Sequence, residues 1–195
     1  MVSLDSVLAH ALDIPMITFF YRCYMLLGHL VGRLAGALTL LLVLVTVYDV
    51  LLRYFFQSGS IAVQELEWHL FAAIILLGAG YTLRMDEHVR VDLLYSRLGT
   101  RGKAAVDLFG TIVFLLPFCV LGVYVSVPFV QRAYELTEKS PDPGGLTHRY
   151  LVKALIPIGF VLIALEGLRL LLRNICLLYY GASYTEWGDP KGRSG

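Results

Sequence analysis

Cysteine is scarce in this sequence and poorly placed for a framework. Cys23, Cys119 and Cys176 are odd in number, far apart and set in apolar segments, which argues against a disulfide scaffold or a cysteine-rich metal site and makes them small hydrophobes. Charge is low as well, at 16% of residues with a net of +1, so the chain lacks the basic surface that nucleic acid requires as a partner. Catalytic signatures are missing: there is no H-E-x-x-H, no G-x-S-x-G and no Walker loop, and most serines fall in loops or tails. An enzyme is not expected, nor a metal or other cofactor. Neither an internal repeat nor a run of polar residues at mid-span is present, and a transporter acting alone would be expected to show both. Finally, no Lys or Arg precedes the first apolar residues, where Asp5 and Asp13 stand instead. The amino terminus therefore does not read as a cleavable signal, and the first hydrophobic helix is expected to remain in the mature protein.

What is abundant is apolar sequence. Hydrophobic residues make up 57% of the chain and the mean hydropathy is +0.70, well above that of a soluble domain. The pattern predicts an all-α membrane protein: four transmembrane helices in an antiparallel bundle, preceded by an amphipathic surface helix. Residues 64–94 state the rule most clearly, because an acidic and aromatic entry leads through an apolar run into a mixed-charge exit. Such a run of about 20 residues rises roughly 30 Å, the thickness of a hydrocarbon core. Crossings are expected at about 34–52, 66–84, 104–129 and 151–172. They define an interfacial segment at 1–29, a four-helix domain at 30–178 and a polar cytoplasmic tail at 179–195.

The polar residues collect at the helix ends. Asp49 and Arg53 lie four apart in the favourable acid-before-base order and are expected to pair, as are Glu166 and Arg169, three apart in the last crossing. The short link after Arg53 brings Glu65 and Glu67 to the same membrane surface. They are either solvated interfacial carboxylates or part of a polar lock on the hairpin or on a partner helix. Gly28, Gly32 and Gly36 repeat every four residues and could form a seam for close helix approach. Ala72, Ala73, Gly78, Ala79 and Gly80 offer the same in the second crossing. Pro117 is expected to kink the third crossing, and the stretch 131–150, with its Pro-Asp-Pro-Gly-Gly core, to form an exposed turn. Of the sixteen Lys and Arg residues, eleven would share one side with both termini and with the elbow at 84–103. Arg53, Arg132, Lys139, Arg149 and Lys153 would take the other, so the positive-inside tendency places the termini in the cytoplasm.

Two other classes fit a small helical bundle. A haem-bearing redox subunit would use His29, His69, His88 or His148, but this topology gives no helix a buried histidine pair. A stand-alone channel or scaffold is the other.

Several stretches, taken in order, resemble one family. Arg53-Tyr54 closes the first crossing and Glu65-Leu66-Glu67-Trp68 opens the second. Gly78-Ala79-Gly80-Tyr81-Thr82-Leu83-Arg84 and then His88-Val89-Arg90-Val91-Asp92 close it, and Ile156-Pro157-Ile158-Gly159-Phe160 lies in the fourth. This set resembles the small membrane subunit of TRAP transporters, the DctQ-like family, over about residues 30–178. The resemblance implies a non-catalytic brace in the bacterial inner membrane. Its partners would be a large multi-helix transport subunit, a periplasmic substrate-binding protein and the lipid bilayer, and uptake of a small organic acid would be driven by an ion gradient, usually of sodium. It makes Arg53, Glu65, Glu67, Trp68, Gly78, Gly80, Arg84, His88 and Asp92 candidates for scaffold or partner contacts.

Overall fold

A computed structural model describes residues 15–84 and 98–180, and among these residues the chain is all-α. Helix α1 spans Pro15–Phe56 and α2 spans Ile61–Arg84. A second helical run comprises α3, Thr100–Gly110, a π-helical turn at Thr111–Leu115, and α4, Leu116–Glu135. Helix α5 spans Tyr150–Tyr180. Among the described residues four stretches are long and apolar enough to cross a membrane: Leu26–Phe56, Ile61–Leu83, Arg101–Glu135 and Tyr150–Ile175. The chain is a multi-pass membrane protein. The expected boundary near residue 29 falls inside the continuous helix α1, and the tail from 181 lies outside the described residues.

The breaks between helices have local causes. Gln57 adopts a left-handed conformation (φ 51°) directly after α1, and the Ser60 carbonyl accepts the N–H groups of Val63 and Gln64 as α2 begins. Four residues thus suffice to reverse the chain. Helix α4 continues past the expected limit at Phe129 to Glu135. Thr137 (φ 46°) then ends it: its N–H reaches Tyr134 O and that of Glu138 reaches Ala133 O, a Schellman closure with threonine where glycine is usual. The irregularity expected at Pro117 takes the form of the π turn just before it. Pro117 has no N–H to give and its ring crowds the carbonyl four residues back. The turn is widened there, with the Leu116 N–H bonded to Thr111 O, five residues away.

The chain divides into two compact units. Of the described residues, one comprises 28–84 and 118–164; the other comprises 15–27, 98–117 and 165–180. In the first, α2 and α5 come so near that a Cβ on Gly159 would sit 2.9 Å from Leu76 O, and one on Gly80 would sit 3.3 Å from the Leu162 Cβ. The Phe160 ring lies on Gly122 of α4 and the Tyr81 ring on Gly32 of α1. Phe118 meets Phe160 edge to face at 5.5 Å. In the second unit, Gly167 admits the side chains of Leu115 and Leu116, and buried Glu166 accepts a 2.9 Å hydrogen bond from Arg169 Nε. Small residues here allow helix backbones to approach in a setting where lipid supplies no hydrophobic drive between them.

Candidate functional site

The polar residues expected at the α1–α2 hairpin lie in the unit formed by 28–84 and 118–164, and the structure divides them into separate arrangements. Arg53 turns back along its own helix to pair with Asp49. Asp49 is buried at 3% exposure while the Arg53 side chain remains half exposed, so the acid is neutralised inside the helix packing and the cation reaches its surface.

Glu65 takes a different partner, the loop 136–149. Its carboxylate accepts the Ser140 hydroxyl at one oxygen and the Leu146 N–H, at 2.6 Å, at the other. Around this clamp the loop is bonded to itself. The Ser140 N–H reaches Leu146 O at 3.0 Å, the Gly145 N–H reaches Asp142 O at 3.0 Å, and the Asp142 N–H reaches Ser140 Oγ at 3.2 Å. A Cβ on Gly145 would lie 2.5 Å from Ser140 Oγ and 2.8 Å from Glu65 Oε2, which accounts for glycine there. The stem closes where the Arg149 N–H meets Glu138 O, and Lys153 both pairs with Glu138 and stands 4.1 Å over the Phe129 ring. His69, one turn past Glu65, donates from Nδ1 to the Glu65 carbonyl, because a carbonyl can only accept. The stretch expected as an exposed turn is exposed over most of 136–149, and it is also bonded to itself and held by one carboxylate of α2.

Glu67 and Trp68 point elsewhere. Together with Leu42, Thr46 and Phe71 they line a groove of about 470 Å³ between α1 and α2. Of the candidate glycines, Gly80 lies at the α2–α5 approach, whereas Gly78 faces open space, as does Gly36 of the expected stripe. Arg84 closes α2; His88 and Asp92 lie outside the described residues. Sequence reasoning passed over Ser140, Gly145 and Leu146 as parts of the site. Their only local signal was the Pro-Asp-Pro-Gly-Gly turn, which says nothing of a carboxylate 75 to 81 residues earlier. Among the described residues no three His, Cys, Asp or Glu side chains converge as metal ligands. The arrangement is suited to holding helices and a loop in place.

Comparison with known proteins agrees with that. Residues 42–177 match the family described as tripartite ATP-independent periplasmic transporters, DctQ component. Over 118 residues the chain is 32% identical to a Haemophilus influenzae protein named as a TRAP transporter small permease, covering 59% of this chain and 71% of that one. With the family match running from the middle of α1 to the end of α5, the chain belongs to the DctQ family and is a small subunit of a TRAP transporter complex.

Proposed function

We propose that this subunit is a fixed brace in the bacterial inner membrane. It holds a large multi-helix transport subunit in position and supports docking of a periplasmic substrate-binding protein, while the large subunit takes up a small organic acid, driven by sodium moving down its own gradient. Both termini face the cytoplasm, and loop 136–149 faces the periplasm. The observation that carries this reading is where the polar groups are engaged. Asp49 holds Arg53, Glu65 holds loop 136–149 and Glu166 holds Arg169, all within the chain itself. Groups engaged in this way position helices and are not free to bind a solute that must be released.

The test is uptake in cells that make the binding protein and the large subunit, with and without this chain. Deleting the chain should reduce sodium-dependent uptake to background while the large subunit is still found in the membrane. Uptake at the normal rate without the chain would refute the brace.

A further inference from the structure

Among the acids within the membrane-spanning stretches, Glu67 stands apart. Asp49 is held by Arg53, Glu65 by Ser140 and Leu146, and Glu166 by Arg169; Asp107 is engaged, and Glu135 is exposed at the end of α4. Glu67 is half-buried, six residues into α2, which is about 9 Å below the helix start. Its Oε1 is buried and accepts no hydrogen bond from any described residue. A carboxylate oxygen buried in this way is costly unless something supplies a proton donor or a positive charge.

The surroundings show where the donor would enter. Leu42 and Thr46, one turn apart on α1, form one wall of the groove; Glu67 and Phe71, one turn apart on α2, form the other together with Trp68. Trp68 is 78% exposed and Phe71 57% exposed, so two large aromatic side chains stand at the protein surface in the lining that they share with the acid. Apart from Glu67, the Thr46 hydroxyl and the Trp68 indole N–H, the lining is apolar. Aromatic anchors beside a single unsatisfied charge are what a partner helix meets at the centre of an interface, and the charge selects the residue that the helix must bring.

We propose that this groove is the docking site for a membrane helix of the large transport subunit, and that this helix places an arginine or lysine side chain against Glu67. The assignment rests on the brace reading and adds to it a particular face and a particular charge. Lipid and a second copy of this chain are the competing occupants.

The test co-expresses the chain with the large subunit, extracts both in mild detergent and captures the chain by an affinity tag. Wild type should bring down the large subunit. Glu67→Lys should lower the recovered complex about tenfold or more, with Glu67→Gln in between, while the chain itself stays in the membrane at the wild-type level. A photoreactive residue at Thr46 in the otherwise wild-type chain should form an adduct with the large subunit, which keeps the assignment testable if Glu67→Lys fails to insert. Wild-type capture combined with undiminished capture by Glu67→Lys overturns the groove and leaves the brace standing. So do adducts from position 46 that contain only lipid or a second copy of the chain. Failure of the wild type to capture the large subunit refutes the brace, and the groove assignment falls with it.

Discussion

The Asp49–Arg53 pair has two unequal members, and removing one is not equivalent to removing the other. Arg53→Ala leaves a carboxyl at 3% exposure without its cation, and Asp49 Oδ1 already lacks a partner. Asp49→Asn leaves a guanidinium that is half exposed and can be solvated at the surface. Arg53→Ala should therefore cost about 1 kcal/mol or more beyond Asp49→Asn in thermal unfolding in detergent. Equal losses, or a larger loss for Asp49→Asn, would mean that the acid is not enclosed. Glu65 makes a second case at this scale. With Glu65→Ala the Ser140 hydroxyl and the Leu146 N–H lose their acceptor, and hydrogen exchange at Leu146 should quicken about tenfold or more while the helical amides of α2 keep their protection. Unchanged protection at Leu146 would show that the loop holds itself without the clamp. Both short-range pairs were legible in the sequence, because spacings of three and four put their members on one helix face. The Glu65 clamp was not, because its partners are 75 and 81 residues away and nothing local in either segment announces the other.

Among the elements, hydropathy and helix geometry are enough to locate the four crossings, since each must carry about 20 apolar residues wherever it lies. The same reasoning stops at the helix faces. Gly78 and Gly159 look alike as small residues in apolar runs, yet only one of them has a backbone beside it. A methyl group on Gly159 would meet Leu76 O at 2.9 Å, and a carbonyl inside a helix cannot yield without moving the helix. Gly159→Ala should destabilise the fold by about 1–3 kcal/mol through separation of α2 and α5. Gly78→Ala enters open space, and alanine's better helix propensity should make it neutral or stabilising by up to about 1 kcal/mol. Thermal unfolding of the two variants side by side checks this, and equal behaviour would deny the close approach of the two helices. Pro117 gives a related lesson. Proline marks where a helix must deviate, but whether by a bend or by a widened turn depends on the residues packed around it, here with the π turn placed one step earlier at Thr111–Leu115.

Sidedness belongs to the whole molecule, since four crossings can be inserted either way round. The choice rests on charge: eleven basic residues on the side of the termini and of segment 84–103, against five on the side of the two hairpin loops. That assignment decides what the Glu65 clamp can serve. If loop 136–149 is periplasmic, the carboxylate of α2 steadies a surface that a binding protein can reach; if it is cytoplasmic, the docking part of the brace reading is lost. With the native cysteines replaced, Ser58→Cys in the first hairpin loop and Asp142→Cys in the second should both react with a membrane-impermeant thiol reagent in intact spheroplasts. Leu98→Cys in segment 84–103 and Arg193→Cys in the tail should react only after the membrane is opened. The reverse pattern would invert the topology and remove loop 136–149 from the periplasm. A split in which Ser58→Cys and Asp142→Cys label from opposite sides would contradict four crossings altogether, because two hairpin loops separated by two crossings must emerge on the same face.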